Sequence, residues 1–179
     1  MDSPTAPPAP QPDDKDWTWV LDVPCPDCGY DAAAVPAAEI GERIRAHVPT
    51  WTAALAAPDA AARPSPQVWS VLEYSCHVRD VHLIFGRRLA AMLTQDDPLF
   101  DNWDQDATAV AERYWTQDPI TVSAALAAAA WDTADRFAAV GDGEWIRTGR
   151  RSNGSVFTVR TVGLYYLHDL VHHAHDIAS

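Results

Sequence analysis

Apolar side chains recur along this chain at the spacing of a helix face in four long stretches. Ile40, Ile44, Val48 or Trp51, and Leu55 form the first, and Pro36 suits a first turn, so a helix is predicted over about 36–57. Pro49 interrupts it, and because the apolar period resumes afterwards the expectation is a kink rather than a break. A second helix is predicted from Ser65-Pro66 to about Leu93, with Ser65 as cap and a broad stripe of Val68, Val71, Leu72, Tyr74, Val78, Val81, Ile84, Phe85, Leu89 and Met92. The third opens on Asp118 as cap and Pro119 in the first position, runs through Leu126, Trp131 and Phe137, and stops at Gly141. Thr158 caps the fourth, which carries Val162, Leu164, Tyr165, Leu167, Leu170 and Val171.

The intervals between these stretches have a different character. Residues 96–106 read as a loop with aromatic anchors, followed by a short helix to about Tyr114. Trp145-Ile146-Arg147-Thr148 and Ser155-Val156-Phe157 flank the turn signal Asn153-Gly154, which predicts a small β-hairpin between the third and fourth long helices. Residues 1–16 hold five of the 14 prolines and little that is large and apolar, so a disordered tail is expected there. Residues 17–35 read as an extended segment, with Trp17–Leu21 a short strand or extended run and Cys25-Pro26-Asp27-Cys28-Gly29 a tight knuckle. Residues 36–179 are then an all-α four-helix bundle carrying the hairpin.

Length and charge narrow the function classes. A chain of 179 residues is one domain's length. Its 25 acidic residues against 13 basic ones leave a net charge of −12, a surface that repels a phosphate backbone, so no nucleic-acid partner is expected. No stretch has the length and apolarity of a membrane span, and the N-terminus lacks the basic and apolar regions of a secretion signal, so the expected location is cytoplasmic. Three cysteines are too few and odd in number for a disulfide framework, which fits reduced thiols.

The candidate chemistry lies in Leu167-His168-Asp169-Leu170-Val171-His172-His173-Ala174-His175-Asp176. His168 and His172 are four apart, about one turn and 6 Å of rise, so both imidazoles can address one ion. His77, on the second helix, is the candidate third ligand if the two helices lie side by side. Three protein ligands with a free position define a catalytic metal geometry, and imidazole donors suit zinc, nickel, iron or copper. The plainer reading of each histidine is a hydrogen-bonded core or surface residue. His173 is rotated about 100° from His172 and reads as structural or as an outer partner of a ligand. Glu73, Arg79, Asp80 and Asp169 are further candidates to orient ligating imidazoles. His175 and Asp104 are weak candidates for acid–base work, the latter with Trp103 at a pocket mouth. Cys25 and Cys28 form half of a zinc ribbon, a candidate structural metal site completed by another chain or by His47, or simply reduced.

Trp69-Ser70-x-x-Glu73-Tyr74-x-x-His77-Val78-Arg79-Asp80, the Asn102-Trp103-Asp104-Gln105-Asp106 loop and His168-x-x-x-His172-His173 together resemble the DinB/YfiT-like superfamily, over about residues 36–179. That group includes thiol-dependent S-transferases and the mycothiol-dependent maleylpyruvate isomerase. The resemblance implies a four-helix bundle holding one divalent metal, zinc or nickel, on His77, His168 and His172, with a glutamate at the position of His168 in the isomerase-like branch. It also implies a small-molecule substrate and a homodimer as candidate assembly. Two functions follow as expectations. One is a metal-dependent transferase that activates a low-molecular-weight thiol, of mycothiol or bacillithiol type, against an electrophilic small molecule. The alternative is a non-catalytic metal-binding protein of stress response or sensing.

Overall fold

The computed structural model describes residues 7, 8, 10 and 15–178, so most of the expected disordered tail lies outside the described residues. Four long helices make up the body: α1 (Ile40–Leu55), α2 (Val71–Thr94), α4 (Pro119–Ala138) and α5 (Val159–Asp176), with a short α3 (Gln105–Ala111) between α2 and α4. Both α1 and α2 pack along α4 and along α5, while α1 and α2 meet each other only sparsely. α1 and α2 therefore sit across a diagonal of the bundle, with α4 and α5 each packed between them, which brings α2 beside α5. Between them lies a core whose largest fully buried side chains include Trp51, Phe137, Tyr166, Leu89 and Leu167. Small residues permit the close approaches. A Cβ on Gly41 would lie 2.6 Å from the Ala134 carbonyl oxygen, and one on Gly163 would lie 2.8 Å from the Phe137 ring.

The helix ends follow from their caps. Asp118 accepts from Thr121 N–H and Pro119 occupies the first turn of α4, as expected. Thr158 and Thr161 cap α5 reciprocally. The start of α2 differs from expectation: it begins at Val71, because Ser70 and Glu73 form a capping box that satisfies two orphan donors at once. The earlier Ser65 pairs instead in an isolated bridge with Val68. Pro49 lies inside α1 without ending it. On α4, Trp131 departs from the apolar stripe and is 54% exposed.

The expected hairpin is present as β2 (Thr148–Arg151) and β3 (Val156–Thr158), antiparallel with Gly149 opposite Phe157. It is extended by a strand the sequence pattern did not announce, β1 (Leu99–Phe100), parallel to β2 with Phe100 opposite Arg151. This short sheet holds the 101–104 loop against the end of the bundle. Trp17–Leu21 is a 3-10 helix rather than a strand, since Asp16 accepts from Thr18 N–H at 3.0 Å and starts a turn. The segment that follows packs on α5, where the Tyr30 hydroxyl donates to the Leu164 carbonyl at 2.8 Å. Among the described residues no helix is long and apolar enough to cross a membrane.

Candidate metal centre

The last three turns of α5 carry two i, i+4 pairs on neighbouring stripes, His168/His172 and Asp169/His173, about 100° apart around the axis. Packing of α5 against α2 turns the second stripe toward His77. The imidazoles of His77 and His173 and the Asp169 carboxylate present donor atoms that all lie within 4.8 Å of one another. Asp169 Oδ1 is 3.6 Å from His77 Nε2 and 3.1 Å from His173 Nε2. His77 is 1% exposed, yet neither of its ring nitrogens has a hydrogen-bond partner, and neither does Asp169 Oδ1. Burying such atoms unsatisfied is costly, and one cation held by one donor atom from each of His77, Asp169 and His173 would satisfy His77 Nε2 and Asp169 Oδ1 together.

The surroundings orient these donors. His173 Nδ1 donates to Asp176 Oδ2 at 2.9 Å, which leaves Nε2 facing Asp169 and His77. A carboxylate that fixes the tautomer of a ligating histidine is the usual outer support of a metal site. Trp103 stacks on the His77 ring, with centroids 5.1 Å apart and planes 9° apart. Burial alone pushes the Asp169 carboxyl up, but His173 and His77 outweigh it and hold the group well below the ordinary carboxylate range. Burial likewise lowers His173, and Asp169 and Asp176 outweigh it, raising the imidazole to about 9. On His77 burial wins and the pKa falls. A proton on His173 and a cation at the focus are thus alternative ways of neutralising the same carboxylates.

The first stripe faces elsewhere. His168 and His172 meet Cys25 and Cys28, and these four donors also lie within 4.8 Å of one another. The knuckle that presents the thiols is closed by Gly29 N–H to the Cys25 carbonyl at 2.9 Å and by Cys25 N–H to the Tyr30 carbonyl at 2.8 Å. Gly29 adopts φ +72°, a left-handed conformation that glycine takes without steric cost. Burial pushes the Cys28 thiol up to about 11, the opposite of what a reactive redox thiol needs. Burial, with His172 nearby, brings His168 down to about 4.

A cavity of about 400 Å³ opens over α5 between these features, lined by Trp17, Trp103, Arg151, Tyr165, Asp169 and His173 among others. Arg151 donates to Asn102 Oδ1 at 2.5 Å, and its buried Nε has no hydrogen-bond partner. Neither Arg151 nor Asp176 stood out in sequence. Asp176 carried a signal, lying three residues beyond His173 on the same helix face, whereas Arg151 is drawn in by strand pairing that composition does not reveal.

The expected ligand set is therefore divided. His77 is joined by Asp169 and His173, both expected as outer partners, and His168 and His172 join the cysteines, because α5 is rotated one residue from the expected register. Glu73 caps α2 and pairs with Arg63 at 2.5 Å rather than approaching an imidazole. Arg79 pairs with Asp80 at 2.8 Å, and Asp80 accepts from the Tyr114 hydroxyl. Asp104 caps α3 through Ala107 N–H at 2.8 Å and lines the cavity rim. His175 is exposed, and His47, on α1, is not among the donors gathered around the cysteines. Cys76 is buried beside the Tyr114 carbonyl, a packing position. His82, also buried, pairs with the Tyr166 hydroxyl inside the core.

Residues 40–177 match the family model of the DinB superfamily. Among solved structures, YfiT from Bacillus subtilis, described as a probable metal-dependent hydrolase with an unusual four-helix bundle topology, is similar with a TM-score of 0.65. The match has 20% sequence identity and covers 78% of this chain and 81% of that one. No curated protein matches the chain. With the family model spanning α1 through α5 and the bundle shared with YfiT, the chain belongs to the DinB superfamily.

Proposed function

We propose that the chain is a metal-dependent transferase that holds one divalent transition metal, zinc or nickel, on His77, Asp169 and His173. It would act with a low-molecular-weight thiol, of mycothiol or bacillithiol type, on an electrophilic small molecule. The observation that carries this reading is the convergence of the His77, Asp169 and His173 donors within 4.8 Å, with His77 and Asp169 Oδ1 buried and without hydrogen-bond partners, beside a cavity large enough for a small ligand that Asp169 and His173 line. Two imidazoles and one carboxylate leave coordination positions for an exogenous ligand, unlike a closed structural site. When bound, such a metal lowers the pKa of a coordinated thiol or water.

The protein's own groups have distinct tasks in this reading. Asp176 holds the proton on His173 Nδ1 and so keeps Nε2 free as a donor. Trp103, stacked on His77, and Trp17, which also lines the cavity, restrict water. Arg151, cationic and with a buried, unpartnered Nε, is placed to receive an anionic group of the thiol or the electrophile. This guanidinium supplies local positive charge within a chain whose net charge is −12.

Hydrolysis is the second reading, favoured by the description of YfiT and by the donor set, since two histidines and a carboxylate also serve zinc hydrolases. One experiment addresses both. Metal content is measured on wild-type protein and His77→Ala, and each is assayed for thiol conjugation of an electrophile and for hydrolysis of an ester or amide. Conjugation that needs both thiol and metal, lost in His77→Ala, supports the transferase. Metal-dependent turnover without thiol selects hydrolysis. A wild-type protein that takes up no metal at this cluster overturns both.

A further inference from the structure

We propose that Cys25, Cys28, His168 and His172 form a second metal site, a closed tetrahedral Cys₂His₂ zinc site that fastens residues 17–35 to α5. All four donors lie within 4.8 Å of one another. A tetrahedron with Zn–S of about 2.3 Å and Zn–N of about 2.0–2.1 Å has edges of about 3.3–3.8 Å. The Cys25 Sγ to His172 Nδ1 distance of 3.7 Å already falls there. Small side-chain adjustments bring the rest to the same spacing. Cys25 is 1% exposed and His168 4% exposed, and His168 Nε2 is buried with no hydrogen-bond partner. An unsatisfied nitrogen beside two free thiols is a donor set that a thiophilic ion completes.

Charge and topology both fit a structural role. Binding would release the two thiol protons, and two thiolates with one Zn²⁺ make a neutral unit that can be buried without a counterion. Four protein ligands leave no position for substrate. Trp17 lies over both imidazoles, with ring centroids 5.3 Å from His168 and 4.8 Å from His172, and closes the site from outside. The cysteines precede the residues matched by the family model, so this donor set is assembled between the bundle and a segment added to it. Because Lys15, Asp16 and Trp17 line the cavity over α5, an ion here would also fix one of its walls.

The test is metal stoichiometry on the full chain with zinc, then with cobalt(II) as a spectroscopic substitute. Wild type should bind two equivalents, and Cys25→Ser/Cys28→Ser should lose one of them together with all cobalt–thiolate charge-transfer absorption. His77→Ala should lose the other equivalent and keep that absorption. One equivalent in wild type, lost with the cysteines and unaffected by His77→Ala, would sustain this site and sink the reading of the His77 cluster. Should the double variant not fold, alkylation of wild type decides. The half-buried Cys28 should react only after a chelator is added. Charge-transfer absorption that survives loss of both cysteines, Cys28 reactivity indifferent to chelator, or a Cys25–Cys28 disulfide in protein purified under reducing conditions would each overturn the site.

Discussion

On one stripe of α5, His168 and His172 face the sulfurs of Cys25 and Cys28; on the next, His173 and Asp169 face His77. The two sets are built from adjacent residues of one helix, yet they differ in donor chemistry and in what lies beyond them. The first has two sulfurs, four donors and a tryptophan lid. The second has no sulfur, three donors and Trp103 stacked on His77, and its Asp169 and His173 border the same cavity as His168 and His172. A helix offers its neighbours several directions, and what each stripe can do is decided by the partner it meets. The bundle supplies that partner through α2, and the added N-terminal segment supplies it through the knuckle.

The sharpest way to break this comparison is to remove His77. If only the three-donor set supports chemistry, His77→Ala should reduce metal-dependent turnover by more than the roughly 10–100-fold typical of outer-partner losses. Cys25→Ser/Cys28→Ser should leave a measurable fraction of turnover in whatever part of the protein remains folded. Steady-state rates on metal-loaded protein check both, and equal losses in the two variants would erase the functional distinction.

How the two sets divide was only partly legible in the sequence. The caps at Asp118-Pro119 and Thr158, and the Asn153-Gly154 turn, announced α4, α5 and the hairpin, because those signals are local. Ser65 was the expected start of α2, and the reciprocal bonds between Ser70 and Glu73 place the start at Val71 instead. The choice between the 168/172 and 169/173 stripes is not local at all. Both have i, i+4 spacing, and a rotation of about 100° set by packing exchanges one for the other. Nor does sequence pair Cys25 with His172, 147 residues away, since a lone Cys-x-x-Cys gives no hint of which later residues complete it.

Next in size is the anchor beneath His77. Glu73, with a side chain 2% exposed, binds Arg63 and the Ser70 backbone at the start of α2. Glu73→Gln should destabilise the fold by about 2–3 kcal/mol near neutral pH, because a charged hydrogen-bond network is disrupted in a buried position. Burial raises the Glu73 carboxyl, but Arg63 and Ser70 outweigh it, so its folded pKa lies below the ordinary 4.5. Its stabilisation is therefore full above the unfolded value and lost as pH falls through the folded one. The gap between wild type and variant in denaturant unfolding should narrow on acidification. Cobalt–thiolate absorption at the cysteine set should persist in the folded fraction.

Asp176 sharpens the comparison differently, because its two oxygens address both sets. Oδ2 accepts from His173 Nδ1 at 2.9 Å, while Oδ1 lies 3.9 Å from His172 Nε2, beyond a direct hydrogen bond. Asp176→Ala should weaken metal affinity at the His77 set by roughly 10–100-fold and at the cysteine set by less. Competition titrations with a chromophoric chelator read the two affinities, and a larger loss at the cysteine set would reverse the assigned dependence.

The smallest effect asks how the N-terminal segment is held on α5. The Tyr30 hydroxyl donates to the Leu164 carbonyl, which by helix geometry also accepts the intrahelical bond from His168 N–H. Tyr30→Phe leaves that carbonyl paired, so the cost should sit near the low end for a lost hydrogen bond, about 0.5–1 kcal/mol. If zinc on the four donors dominates the attachment, this change should barely alter protease cleavage within residues 17–35 of zinc-loaded protein. After chelation only packing and the Tyr30 bond remain, and the same change should then raise cleavage severalfold. A variant equally protected with and without chelator would mean that packing of Trp17, Val20 and Tyr30 alone holds the segment.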